Sequence, residues 1–332
     1  MKIIHVKENL GLSKYRQIIQ SVEKSLMENR LKIGDKLPSI NKICLEFSLS
    51  RDTVLFAYDD LKKRGIIYSA PGKGYYVKTA EVNYTHHIFL LFDELNVFKE
   101  DLYNSLLNNL TEKAKVDIYF HHFNLEMFKT LIENSNGNYT SYVVMPANFD
   151  HIQPFLEVLP RNSVYILDQI KDGLHSYPAV YQNFRKDIFE ALKSARELLS
   201  KYRKLIMVFP KEKQPKGMLH GFQDFCTYYP FDNEVIHEVS GRSLQAGEVY
   251  IMPGDRDLIQ VIKKAKEQNL KIGKDIGVIS YNDSTLKEVV HNGITTISTD
   301  FVGMGEKLAG MILEKKSIQI ENNCKLILRE SL

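Results

Sequence analysis

The 332-residue sequence has no tryptophan and only three cysteines. Cys44, Cys226 and Cys324 are odd in number, far apart and never part of a CxxC pair. That argues against a disulfide-stapled scaffold and a cysteine-rich zinc site, and it fits a reduced, cytoplasmic setting. No apolar run is long enough for a transmembrane helix, so no membrane partner is expected. The start, Met1-Lys2-Ile3-Ile4, meets Glu8 and Asn9 too early for an export signal. GxSxG, HExxH, the phosphate-binding loop and GxGxxG are all missing. His86-His87 and His121-His122 are adjacent pairs, and adjacent side chains on a strand point to opposite faces. The expectation is therefore no enzyme activity, no metal and no cofactor.

What is present is divided unevenly. Residues 1–80 carry 15 Lys and Arg against 8 Asp and Glu, a balance of +7; the other 252 carry 29 against 33, or −4. A basic head on a mildly acidic body points the head at a polyanion.

In the head, Tyr15, Ile18, Ile19, Val22 and Leu26 fall at helical spacing and predict a first helix. Ser39 is placed to cap a second, with Ile40, Ile43, Cys44 and Phe47 as its apolar face. Ser50 caps a third, whose stripe is Val54, Ala57, Tyr58 and Leu61 and whose end is Gly65. Two short strands, Ile66-Ile67-Tyr68 and Tyr75-Tyr76-Val77, flank the turn-rich tip 69–74. Three helices followed by a hairpin make a winged helix-turn-helix over residues 1–78. Its third helix would place the polar first turn in a DNA major groove. Arg51 suits guanine or phosphate, and Thr53 suits phosphate or a thymine methyl. Ser39 and Ser50 sit at helix starts that suit phosphates; Asn41 can bond a base or a phosphate, Lys42 supplies charge nearby, and the Gly72-Lys73 tip can approach the DNA backbone or minor groove closely.

These pieces, IGDKLPSINKICLEFSLSRDTV, AYDDLKKRGII and GKGYYV, resemble the GntR family of bacterial transcription regulators from Tyr15 to about Lys78. The resemblance implies a two-fold DNA operator and a homodimer. Two positions depart from it: Asn41 and Leu55 stand where relatives often carry arginine.

After a linker at 79–87 the pattern changes. Ile88–Phe92 is a continuous apolar run, as in a strand buried on both faces. Strands and helices then alternate, and after residue 186 the cycle restarts. The expected class is α/β: the winged helix-turn-helix, then a two-lobed domain of doubly wound parallel sheets at 88–332. Lobe 1 would comprise about 88–170 and 298–318, and lobe 2 about 171–297 and 319–332. The expected crossovers lie near Leu167–Lys171, Ile297–Asp300 and Lys316–Ile320.

Five stretches, KIGKDIGVISYNDS, NGITTIST, MGEKLAGMIL, HGFQDF and VYILDQ, resemble the sugar-binding core shared by LacI-type repressors and periplasmic binding proteins. That resemblance implies ligand contacts from Asp93, Phe98, Asp168, Lys216, Asp255, Asn282, Asp283 and Asp300. Lys216 or His220 would replace an arginine whose place Met218 takes. Carboxylates and amides suit several hydroxyls at once. Without tryptophan, Phe92, Phe98, Phe184 or Tyr281 must cover a sugar ring. The combined expectation is a repressor whose operator binding responds to a monosaccharide or derivative. The competing expectation is a ligand-free body that serves as a dimerisation and protein-docking scaffold.

Overall fold

The computed structural model describes residues 3–7, 13–80, 86–112, 114–210 and 214–332, with the backbone alone at Lys63. Residues 81–85 of the expected linker lie outside the described residues. The chain divides into two compact units: Met1–Phe92, Leu110–Val144 and His151–Tyr165 form one, and Asp93–Asn109, Met145–Asp150 and Ile166–Leu332 the other.

The head consists of α1 (Lys14–Met27), α2 (Ile40–Phe47), α3 (Arg51–Lys63) and an antiparallel hairpin of β1 (Ile67–Ala70) and β2 (Gly74–Val77). The helical stripes meet as expected: Ile18, Ile19, Val22, Leu26, Ile43, Val54, Ala57, Tyr58 and Leu61 form one buried core with Ile66, Ile67 and Val77. Ser48 closes α2 in the left-handed conformation, which lets the chain turn sharply into α3. The Tyr58 hydroxyl donates to the Pro38 carbonyl at 2.6 Å and bolts α3 to the entry of α2. Arg64 joins α1 to α3 through Glu23 at 2.6 Å and Asp60 at 3.2 Å. The head also touches the loop after the fifth helix of the chain. There the Tyr15 hydroxyl donates to Asn138 Oδ1, and Ser13 Oγ donates to the Gly137 carbonyl at 3.4 Å.

The body begins with β3 (His86–Phe92), α4 (Val97–Asn109), β4 (Ala114–Phe120), α5 (Leu125–Ser135), β5 (Ser141–Val144), α6 (Gln153–Leu156), β6 (Val164–Asp168) and β7 (Ala179–Tyr181). It continues with α7 (Phe184–Ser194), α8 (Arg196–Leu199), β8 (Lys204–Val208), α9 (Lys216–Tyr228), β9 (Asp232–Ile236), β10 (Glu248–Met252) and α10 (Asp255–Glu267). The last elements are β11 (Gly277–Tyr281), α11 (Thr285–Val289), β12 (Thr295–Thr299), α12 (Phe301–Glu314), β13 (Gln319–Glu321) and β14 (Cys324–Ile327).

Two six-stranded sheets result, ordered β13-β7-β6-β5-β3-β4 and β14-β12-β11-β10-β8-β9. In the second sheet β10 pairs in parallel with β8 and β11, and only β14 runs antiparallel, against β12. Strand alternation feeds two layers. Leu205 and Met207 pack with Phe222, Phe225 and Ile188 on one face; Ile206 and Val208 pack with Leu258 and Val261 on the other. Gly305 allows α12 to press on α4, since a Cβ there would meet the Leu102 carbonyl at 2.5 Å.

The second crossover falls within the expected Ile297–Asp300, whereas the first and third differ from expectation. β7 and β13 both belong to the first sheet, paired in parallel with each other. The first sheet therefore continues through Tyr181 and Glu321, past the expected limits at 170 and 318. The chain changes sheets after Tyr181, after Thr299 and after Glu321. Both strands are three residues long, too short to leave a periodicity in the sequence. The helical stretch after residue 186 breaks at Ala195 into α7 and α8.

Candidate nucleic-acid interface and ligand site

The first turns of α2 and α3 lie side by side. Ser39 Oγ accepts from the Lys42 amide and Ser50 Oγ from the Thr53 amide, each at 3.2 Å. Both caps leave the earliest helical N–H groups facing outward, where the helix dipole favours an anion. Arg51 Nη1 donates to Asn41 Oδ1 at 3.3 Å, which brings the two helix starts together. Ser39, Asn41, Lys42, Ser50 and Arg51 are all exposed, while Thr53 is half-buried and shares a 2.8 Å hydroxyl contact with Ser50. At the hairpin tip Gly72 takes φ +72°, a conformation that favours glycine, and the exposed Lys73 follows it. Phe56, 69% exposed on α3, is an apolar group off the helix's buried stripe.

In the body the expected ligand residues separate into groups. Asp93 and Asp168 form the first, at the carboxyl ends of β3 and β6, where open α/β sheets take ligands. Lys99 Nζ donates to Asp93, and all three side chains are buried. Asp168 has φ +77°, a strained setting of the kind that collects at ligand sites. Gln182 Nε2 donates to its carboxylate. Burial first, then the Asp93 charge, pushes the Asp168 carboxyl up to about 6, against the pull of Lys99, Gln182 and Gln169.

The second group gathers around Lys287, which is 1% exposed. Its ammonium donates to the carbonyls of Tyr281 and Asn282 at 2.8 Å and pairs with Asp255 at 2.9 Å. It also stands 5.6 Å from the Phe98 ring centre. Burial lowers its pKa, and Asp255 opposes the shift. Asn282 takes φ +58° and buries an Oδ1 that has no hydrogen-bond partner among the described residues.

The remaining residues are engaged differently. Asp283 is gripped by Arg329 through two 2.7 Å bonds, and Asp300 caps α12 by accepting from the Gly303 amide at 2.8 Å. Phe98 lies 5.6 Å from Phe301, nearly parallel to it. Phe98, Asp283 and Asp300 line a groove of about 540 Å³. Lys216 is exposed at the start of α9. Its charge helps burial to hold the half-buried Lys171 below the usual lysine range, against Asp150. Lys99, Gln182 and Lys287 had no sequence signal, since each is a single polar residue whose burial only the fold reveals.

Residues 14–77 match the family described as bacterial regulatory proteins, gntR family, and residues 198–332 match the periplasmic binding protein-like domain. The chain joins a gntR-type head to a periplasmic-binding-protein-like body. The gntR-type head is 39% identical over 80 residues to the mannosyl-D-glycerate transport/metabolism system repressor MngR of Escherichia coli (strain K12), covering 24% of this chain and 33% of that one. The chain spans between 15% and 48% of the length of the first three curated relatives it matches. A longer match, 20% identical, covers 91% of this chain and 88% of an arabinose metabolism transcriptional repressor from Halalkalibacterium halodurans. The body shares its fold with a periplasmic binding protein/LacI transcriptional regulator from Alkaliphilus metalliredigens, crystallised with D-xylulofuranose. There the TM-score is 0.60 at 13% identity, over 74% of this chain and 98% of that one. Among the described residues no helix is long and apolar enough to cross a membrane.

Proposed function

We propose that this protein is a DNA-binding transcription regulator, a cytoplasmic homodimeric repressor without catalytic activity. In this reading its hold on a two-fold operator weakens when a monosaccharide or derivative binds near Asp168. The observation that carries the DNA half is the bonded pair Asn41–Arg51, which joins two exposed helix starts. Arg51 and Thr53 read or orient bases; Ser39, Asn41, Lys42, Ser50 and the Gly72-Lys73 tip hold phosphates. Homodimerisation sets two heads at the spacing of two half-sites. Exposed Val97, Leu286, Val289 and Val302 give the body apolar surface for such an association.

The ligand half rests on Asp93, Lys99 and Asp168 at the strand ends and, separately, on the buried Asn282 Oδ1, which has no partner among the described residues. Asp255 and Phe98 both meet the Lys287 ammonium, Lys216 lies exposed at the start of α9, and Asp283 and Asp300 serve mainly to hold their own loops. A sugar lowers operator affinity tenfold if it favours the released geometry by ~1.4 kcal/mol.

One observation favours the scaffold reading: Phe98 and Asp283 already have partners within the chain. A thermal-shift panel led by L-arabinose, D-xylose, D-ribose and D-glucose separates the two. The regulator reading expects one sugar to raise the unfolding midpoint and, at the same concentration, to weaken operator binding at least tenfold. A panel with neither effect favours the scaffold.

A further inference from the structure

Gln182 is the first residue after β7 and lies at the first crossover, 8% exposed. Its backbone amide donates to the Asp168 carbonyl at 2.9 Å, which fixes it against the end of β6. Its side chain then uses both halves of the amide. Nε2 donates to the Asp168 carboxylate, at the end of a strand of the first sheet. Oε1 accepts from Thr299 Oγ1 at 2.5 Å and from the Tyr281 hydroxyl at 3.4 Å, at the ends of two strands of the second sheet. A single buried amide thus ties the Asp168 carboxylate to hydroxyls of the other sheet. Asn322 braces the third crossover, donating its backbone amide to Tyr181 and its side chain to the Asp300 carbonyl at 2.9 Å, but it meets no ligand-facing carboxylate.

We propose that Gln182 is the positioning residue that transmits the occupancy of Asp168 to the second sheet. This deepens the effector-site reading given above and rests on it for the identity of the occupant. A sugar hydroxyl that bonds to Asp168 competes with Gln182 Nε2 for the same carboxylate. The amide must then shift, and Oε1 carries the shift to Thr299 and Tyr281. Leaving a buried amide half-satisfied is costly, so the two sheets respond together. An apolar side chain of the same length would fill the space and sever the link.

Gln182→Glu makes the link visible without any sugar, because it sets a second carboxylate against Asp168. The charged groups around this pair are Asp93 and Lys99 on the β3–α4 side, Lys171 after β6, Asp187 on α7, and the weakly acidic Tyr281 and Cys324 on β11 and β14. Above neutral pH two ionised carboxylates repel and the sheets should part; in acid one shared proton restores the bond. The experiment is small-angle X-ray scattering of the full chain at pH 5 and pH 8. The expected result is a larger radius of gyration for Gln182→Glu at pH 8, reversed at pH 5, while the wild type keeps one value. Gln182→Met is a second variant in case the charged one does not fold; it should be expanded at both pH values. Wild-type dimensions for a folded variant at both pH values would overturn the proposal. Since the scattering contains no sugar, that result would leave the effector assignment standing, and a silent sugar panel would leave the clasp standing.

Discussion

Replacing Arg51 and Lys73 together by alanine is expected to weaken binding to a selected operator roughly 30- to 1,000-fold per half-site, by fluorescence anisotropy. A bidentate arginine–guanine contact is worth about 1–3 kcal/mol of discrimination, and a phosphate-directed lysine adds about 1 kcal/mol. The two residues act differently, and salt separates them. Lys73→Ala alone should weaken all duplexes alike and flatten the slope of log affinity against log salt by about 0.9. Arg51→Ala alone should also relax the preference at one base position. Both side chains are exposed and contribute nothing to the head core, so folding should be unaffected. Unchanged affinity in the double variant would remove the DNA-reading role from this face.

Asp168→Asn is expected to raise stability and abolish the sugar response together. The carboxyl is held at about 6, mainly by burial, well above an unfolded value near 4. Its contribution is complete below pH 4 and is lost as pH rises through 6. By pH 8 the ionised group costs the folded chain about 3 kcal/mol. Asparagine carries no such charge and still accepts from Gln182 Nε2. The unfolding midpoint should therefore rise by several degrees at pH 8 and hardly move at pH 4, by scanning calorimetry. A sugar that shifts the wild type should bind the variant at least tenfold more weakly. Gain of stability with loss of ligand cannot come from a damaged fold, and it is the trade-off expected where a site is strained for function. A midpoint that falls at pH 8, with sugar binding intact, would make Asp168 an ordinary structural residue.

The head was legible because each signal there is local. The stripe of α3, the serine caps at 39 and 50 and the glycines of the hairpin tip all act within a few residues, and the structure places them as their spacing implies. In the body, runs such as Ile88–Phe92 and Gly277–Tyr281 read directly as buried strands. The crossovers did not, because β7 and β13 owe their existence to each other across a long sequence separation. The candidate ligand residues were half legible. A carboxylate at the end of a strand is visible in sequence, but its partner is not. Nothing around Asp283 announces Arg329, and nothing around Asp168 announces Gln182. Asp300 reads in sequence more readily as a helix cap than as a ligand contact, and its bond to the Gly303 amide shows the cap.

The most direct measurement is selection of duplexes from a random pool by the full-length protein, followed by sequencing. The expected result is enrichment of a two-fold symmetric motif whose half-sites lie about one helical turn, or a multiple of it, apart. A pool that stays unenriched through successive rounds at low salt would contradict it.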